Sequence, residues 1–442
     1  MFKKKPEFLT NLKRRWKQSM PGKRNQMYDS FLGKNLINSQ KYKLSQKFKF
    51  SFEDWLAEQI INKFNQKMKD WEQNHNVKRL KPGELLTTFQ QQKVILPLIK
   101  PMWIKDLTSG TTWANLRDEI EKQHLKILED IDPEATLQDV RCLVNQRSLL
   151  PKMDGFRWGK FDPPENLGDN PSIHKNYSQT LEEDSEVPIE VLEELVDYLT
   201  AAENISRPRA KAIIECLNQE RIKFCPLQSE LEVGQMSWIG MDAAKFSPFH
   251  KKSKQRHQIP VKLTLYTPEE INEAQDINNL NELNAFNLKR LERVCFEAYH
   301  QGAILNTVGL GLMFFLQQYA VSNLCRKYME LTELILPTAG TIKDCGRATT
   351  HKHIIIDKHL QGMLNQEISS STYHDGESID RYIDTFQGVL ILYIYNLPNQ
   401  LKAKVLNTTP GVIEEHIEII ESYFDNRDSI LSYLKKQGVK VP

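Results

Sequence analysis

The sequence has few cysteines and no long hydrophobic run, and each shortage excludes a class of protein. Its six cysteines are scattered over 442 residues without a Cys-x-x-Cys pair, which argues against a disulfide framework or a zinc knuckle. The longest apolar stretches, 308–316 and 388–397, fall short of the roughly 18–20 residues that span a bilayer. The N-terminus has charges but no apolar core of a secretory signal. We therefore expect a cytoplasmic protein with no membrane partner.

The common catalytic motifs are missing as well. The sequence contains no P-loop, no dinucleotide-binding glycine motif and no nucleophile elbow. Asp242 follows an apolar strand, as the first acidic residue of ribonuclease-H-like nucleases does, but no later strand supplies the further carboxylates that a metal site needs. His351 and His353 are two residues apart, so on a helix they face apart. We expect no catalytic residue, metal or cofactor. Nicking of DNA that depends on a divalent metal would make Asp242 a candidate catalytic residue again.

Positive charge is concentrated at the N-terminus. Residues 1–50 contain fourteen Lys or Arg and only two acidic residues, a net charge of +12 in a chain whose total is +2. A polyanion is the natural partner of such a segment, because each contact with a phosphate releases a condensed counterion. Its interleaved aromatic residues could stack on unpaired bases or pack against the rest of the protein. The alternatives are an anionic membrane, an acidic protein partner, or a solvated tail without a specific role.

Apolar residues at helical spacing predict a helical N-terminal domain at 51–155, behind the basic arm of residues 1–50. Its predicted helices are Phe52–Trp71, Trp113–Asp130 and Leu137–Leu150. The next stretch is rich in Pro, Gly and Asn and is followed by an acidic run. This composition predicts a linker at 156–187 and a domain boundary there.

The periodicity changes within residues 188–285, which we interpret as an α+β segment. Two short apolar strands, 234–240 and 259–266, are expected to form a β-hairpin around the basic loop 250–257. After Pro268 the pattern is helical again except for a turn segment at 336–350. The predicted fold class is mainly α with a small β-hairpin.

The C-terminal half contains three candidate helix–turn–helix units in a winged-helix-like series, at 286–347, 348–395 and 396–442. Such a unit needs a short helix, a tight turn and a second helix whose outward residues enter a major groove about 12 Å wide. In the first unit the turn is expected near 317–320. The segment after its second helix would serve as a wing or connector to the second unit.

The predicted outward residues differ in charge among the three units. Arg and Asn on the first unit are the residue types that pair bidentately with guanine and adenine edges. The outward face of the second unit is mostly acidic, and that of the third, with Glu414, Glu415 and Glu418, is more acidic still. Including phosphate contacts from the connector, the predicted DNA-binding residues are Ser322, Asn323, Arg326, Lys327, Lys343, Arg347, Lys352, Ser378 and Arg381.

Five motifs in the second half of the chain carry a family resemblance. They are GQMSW at 234–238, PVKLTLYTPEE at 260–270, EAYHQG at 297–302, LPTAGTIKDCGRATTHK at 336–352 and SIDRYI at 378–383. Over about residues 188–425 the chain resembles an uncharacterised prokaryotic family known as domain of unknown function 1670. The resemblance implies tandem helix–turn–helix units and hence DNA binding, and it brings no catalytic residues.

Together these patterns predict a non-enzymatic, sequence-specific protein that binds double-stranded DNA, most simply a prokaryotic transcriptional regulator. A homodimer on a palindromic site is common for this architecture. Two other readings stay open. One is an accessory DNA-binding protein of a mobile element or recombination system. The other is an interaction scaffold in which the acidic faces of helix–turn–helix folds bind protein.

Overall fold

The computed structural model describes residues 36–48, 54–100, 102–103, 113–144, 167, 188–244, 258–277, 279–342, 350–374 and 376–439. Over these residues the chain is mainly helical with one small antiparallel sheet, so the predicted fold class is confirmed. The chain divides into two compact units between Cys325 and Arg326. We call them unit 1 and unit 2.

The described helices and strands divide unequally between the two units. Unit 1 contains α1 (Leu36–Phe48), α2 (Asp54–Asn74), β1 (Glu84–Phe89), β2 (Gln92–Pro97), α3 (Trp113–Glu129), α4 (Leu137–Leu143), α5 (Ile189–Ala202), α6 (Arg207–Phe224), a 3-10 turn (Gln228–Glu230), β3 (Gln235–Asp242), β4 (Gln258–Thr264), α7 (Pro268–Gln275), α8 (Leu280–His300), β5 (Ala303–Ile304), α9 (Thr307–Met313) and the first half of α10 (Gln318–Thr332). Unit 2 contains the end of α10, then α11 (Ala339–Ile342), α12 (Thr350–Leu360), α13 (Asn365–Thr372), α14 (Gly376–Ile394), α15 (Asn399–Val405), α16 (Pro410–Tyr423) and α17 (Arg427–Lys436).

Helices α1, α2, α5 and α6 share one hydrophobic core. Leu44 of α1 is buried in it together with Phe64 of α2, Leu199 of α5 and Leu217 of α6. The predicted domain boundary at 156–187 is therefore wrong, because chain from both sides of it forms a single core. The prediction of a basic arm is also wrong for α1, which is folded, whereas residues 1–35 lie outside the described part of the chain.

The sheet has the strand order β2-β1-β3-β4. The short strand β5 lies outside this order and pairs with the end of β3. Strands β1 and β2 form a hairpin within 51–155, so the prediction of a wholly helical domain there is wrong. Its turn consists of Gln90 and Gln91, both with positive φ (48° and 62°). Two-residue hairpin turns with this geometry usually contain Asn or Gly. A turn of two glutamines gives no such signal, which is why the hairpin was not predicted.

Side chains at the end of helix α8 and directly after it close the outer edge of β4. The Gln301 side chain accepts from the Lys262 backbone N–H at 2.9 Å and donates to the Lys262 carbonyl at 2.7 Å. Glu297 accepts from the Thr264 backbone N–H at 2.6 Å. Two motifs of the family resemblance, 260–270 and 297–302, thus meet in one hydrogen-bonded contact. The two motifs have a structural role here, because their hydrogen bonds satisfy backbone groups of a strand edge that would otherwise be open to pairing.

In unit 2 the long helix α14 takes part in two clusters. Its N-terminal half packs against α12 and α13 through Ile379 and Ile383. Its C-terminal half packs against α15, α16 and α17 through Phe386 and Leu390. The sequence predicts that the second helix–turn–helix unit ends at residue 395 and that the third begins at residue 396. They instead share α14 as a common helix.

Among the described residues, no single helix is long and apolar enough to cross a membrane. Helices α9 and α10 meet that criterion only when they are taken together, by length and composition, across the bend between them.

Candidate nucleic-acid interface

Helices α9 and α10 have the geometry predicted for the first helix–turn–helix unit. They cross at 104° and are joined by the four residues 314–317. DNA-binding units of this kind place their two helices at about 90–120° across a turn of three to four residues. The Asn306 side chain caps α9 by accepting from the Gly309 N–H at 2.7 Å. The turn begins three residues before its predicted position near 317–320.

The turn between α9 and α10 is held by buried side chains. Phe315 has a left-handed backbone (φ 52°), a conformation that usually selects Gly or Asn, and its ring is buried. The next residue, Leu316, donates its N–H to the Gly311 carbonyl at 2.9 Å. The turn contains no glycine. Packing of the buried Phe315 ring holds the strained left-handed backbone in place.

A buried arginine anchors the same turn to α8. The Arg290 side chain is 1 % exposed, its guanidinium lies 5.0 Å from the centre of the Phe314 ring, and its Nε donates to the Leu265 carbonyl at 2.8 Å. Burial lowers the pKa of Arg290 to about 10, so the group stays positively charged at neutral pH. This cation–π contact and hydrogen bond join α8, the chain after β4 and the turn.

Helix α9 is buried along almost its whole length, so only α10 presents side chains to solvent here. The outward residues of α10, which we call the α10 face, are Tyr319, Ser322, Arg326, Lys327 and Glu330. Except for Lys327, which is adjacent to Arg326, they recur at intervals of three or four residues, which is the spacing of one helical stripe. This stripe is the surface that the first unit can offer to a groove.

Three of the four residues predicted on the second helix of the first unit lie on this face. Ser322 donates its hydroxyl to the Gln318 carbonyl at 3.0 Å. Arg326 and Lys327 approach the Glu330 carboxylate, with N–O distances of 3.9 Å and 3.5 Å. The prediction that Asn323 points outward is wrong, because only 7 % of this residue is exposed. Asn323 belongs to the buried arc of α10 together with Leu324 and Ala320.

The structure brings two predicted cations of the second unit to one aromatic ring. Lys352 of α12 and Arg381 of α14 lie 5.9 Å and 5.6 Å from the centre of the Tyr382 ring. Ser378 is half-buried one turn before Arg381. The predicted phosphate contacts Lys343 and Arg347 lie outside the described residues, as does the basic hairpin loop 250–257.

The second helix of the third unit has an acidic outward face. Glu414, Glu418 and Glu421 of α16 are all exposed. The basic group within α16, His416, is buried, and burial lowers its pKa to about 4. Helix α16 thus presents negative charge alone at neutral pH, and this charge repels phosphates.

The candidate metal ligands considered from sequence are not assembled into a site. Asp242 ends β3, is buried and accepts the Ala244 N–H at 2.9 Å. His353 lies 3.1 Å from Asp357 within one helix. In the part of the chain that the structure describes, no group of three or more His, Cys, Asp or Glu side chains could hold a metal ion.

One residue of the α10 face is not among those predicted from the sequence. Tyr319 is 66 % exposed in the first turn of α10. Its neighbours Ala320 and Val321 are buried. The signal that the sequence offered for Tyr319 was its position directly before the buried arc of the helix. The adjacent Gln318 donates to the Thr307 hydroxyl at 3.0 Å and thereby ties the start of α10 to α9.

Comparison with known proteins identifies a family but no activity. A search of curated proteins and a search of solved structures found no significant match. The sequence profile of a family described as protein of unknown function (DUF1670) matches residues 197–419, just over half of the chain. That range contains α9, α10 and most of unit 2, in agreement with the motifs that carry the resemblance. The chain therefore belongs to the DUF1670 family.

Proposed function

We propose that this protein is a non-enzymatic, sequence-specific reader of double-stranded DNA that acts as a transcriptional regulator in a prokaryotic cytoplasm. The observation that carries the proposal is the α10 face. It is the exposed stripe of the second helix in a pair of helices that cross at 104°. A helix with its side chains is about 10–12 Å across and therefore fits a major groove about 12 Å wide, and α10 is 15 residues long.

The cations of the α10 face support DNA as the partner. The side chains of Arg326 and Lys327 are 54 % and 33 % exposed. Arg326 is the residue type that pairs bidentately with guanine, whereas Lys327 on the flank is suited to a phosphate. In unit 2, Lys352 and Arg381 next to Tyr382 offer a second pair of cations, with Ser378 as a neighbouring hydroxyl.

The experiment is selection from random duplex DNA by the full-length protein at two salt concentrations, followed by sequencing. Enrichment of one motif supports a specific reader, and the absence of any motif overturns the proposal. Arg326→Ala is expected to cost about 1–3 kcal/mol on the selected site if Arg326 pairs with a base. Arg427→Ala removes an exposed arginine of α17 and is the matched control, for which we expect no loss of specificity.

A second candidate function follows from α15 and α16. Helix α15 exposes Leu401 (44 %) and Val405 (58 %) at i,i+4, next to the acidic face of α16. Exposed apolar side chains beside negative charge suit a protein partner better than DNA. If the selection yields no motif while the full chain forms a stable complex with another protein that Leu401→Lys abolishes, the interaction scaffold is the better description.

A further inference from the structure

The most exposed residue of the α10 face is an aromatic one. Tyr319 is the single large apolar side chain that is exposed between residues 199 and 363, within the part of the chain that the structure describes. Its side chain contributes little to the core, since 66 % of the residue is in contact with solvent. Substitution at this position is therefore expected to leave the fold intact.

Tyr319 lies at the end of α10 that a helix–turn–helix unit presents to base edges. In such units the N-terminal residues of the second helix contact bases. Tyr319, Ser322 and Arg326 are at i, i+3 and i+7 and share one face. At about 1.5 Å per residue, Tyr319 and Arg326 are about 10 Å apart along the axis. This distance corresponds to roughly three base pairs at about 3.4 Å each.

The chemistry of the side chain selects the contact. A phenol has no charge to attract a phosphate and only one hydroxyl that can donate to it, whereas its six ring carbons offer an apolar surface. The major groove displays one apolar group, the C5-methyl of thymine. We propose that Tyr319 is a specificity-determining residue that packs against a thymine methyl roughly three base pairs from the contact of Arg326. The inference rests on the proposed function, because it assigns one base contact within the DNA reading described above.

The test uses the full-length protein and the duplex obtained by selection. Each thymine of the site is replaced in turn by deoxyuridine, which removes the methyl group and nothing else. For the wild type, one such replacement is expected to weaken binding about fourfold, the value of one methyl group in an apolar contact. Tyr319→Ala should lose at least as much on the unmodified site and should no longer respond to that replacement. Tyr319→Phe keeps the ring and should bind like the wild type.

Tyr395→Ala is the matched control, because Tyr395 is a 46 % exposed tyrosine directly after α14. It should leave both the affinity and the response to deoxyuridine unchanged. The inference is overturned if Tyr319→Ala binds the site as well as the wild type does and with the same response to deoxyuridine. It is also overturned if Tyr319→Phe loses as much as Tyr319→Ala while no deoxyuridine matters, since the hydroxyl would then contact a phosphate. In both cases the selected motif itself remains, so the proposed function stands, whereas a selection without any motif removes both.

Discussion

Gly311 and Leu316 approach so closely that a side chain at residue 311 would collide with the backbone. A Cβ on Gly311 would lie 2.7 Å from the Leu316 carbonyl oxygen. The turn from α9 to α10 therefore folds back onto α9 more closely than any residue other than glycine permits. This contact sets the position from which α10 starts, and with it the direction of the α10 face.

Gly311→Ala is expected to destabilise unit 1 by about 1–3 kcal/mol, the usual cost of an extra group in a packed core, because the backbone around Leu316 must move. Urea unfolding followed by tryptophan fluorescence measures this, since all seven tryptophans lie before residue 239. Gly411→Ala is the control, because a Cβ there meets nothing within 4 Å. An unfolding midpoint unchanged by Gly311→Ala would contradict the close contact.

Glu330→Gln is expected to strengthen binding to random duplex DNA. The Glu330 carboxylate lies within 3.9 Å of Arg326 and 3.5 Å of Lys327, so it competes with phosphates for both cations. Its removal should increase the slope of log affinity against log salt by up to about 1. Glu418→Gln removes one negative charge from α16 and should leave the slope unchanged, if α16 faces away from DNA. Equal effects of the two variants would assign the change to net charge alone.

Unit 2 is expected to lose stability as the pH falls. His416 is 2 % exposed and contacts the Phe386 ring at 6.1 Å. Burial, followed by repulsion from Lys352, lowers its pKa from 6.5 to about 4. The folded state therefore favours neutral His416. Its contribution is complete above pH 6.5 and is lost between pH 6.5 and about pH 4, with an upper limit of about 3 kcal/mol.

Thermal unfolding by circular dichroism over this pH range measures the effect. His416→Leu should flatten the pH dependence of the transition that belongs to unit 2. His353→Gln replaces an exposed histidine and should leave that dependence as it is in the wild type. A wild-type transition that stays constant from pH 6.5 to pH 4 would refute the prediction.

Gln301→Ala is expected to open the outer edge of β4. The variant removes both hydrogen bonds between the Gln301 side chain and the Lys262 backbone. A loss of about 0.5–1.5 kcal/mol per bond is the typical value. Hydrogen exchange should show a faster Lys262 amide, and light scattering should show more self-association at high concentration, since an open edge pairs with other strands. Protection of this amide equal to that of the wild type would mean that another group covers the edge.

The part of the fold that could be predicted is the part encoded by local pattern. The helices of the C-terminal half follow from apolar residues at helical spacing, and strands β3 and β4 from alternation. The β1–β2 hairpin could not be predicted in this way, because Gln90 and Gln91 form a left-handed turn that their residue type does not signal. Its strands also require β3 as a neighbour, through Leu85 and Met236, more than 140 residues away in the chain.

The candidate site shows the same division. Arg326 and Lys327 could be placed on the outward face of α10 from helical phase alone. Asn323 was misplaced and Tyr319 was overlooked, because exposure depends on what other segments cover. Asn323 lies at the margin of the buried arc of α10 and is buried although it is polar. Tyr319 lies outside that arc and is exposed although it is aromatic.

The sequence by itself determined the helical class, the family and the cations of α10, since each depends on residue types a few positions apart. Only the tertiary structure decided that α1 belongs to the core of unit 1, that α14 serves two helical clusters, and that the turn before α10 is fixed by Arg290, Phe314 and Gly311. The physical reason is that burial and close packing are properties of segments distant in sequence. A local sequence pattern does not indicate which distant segments will pack together.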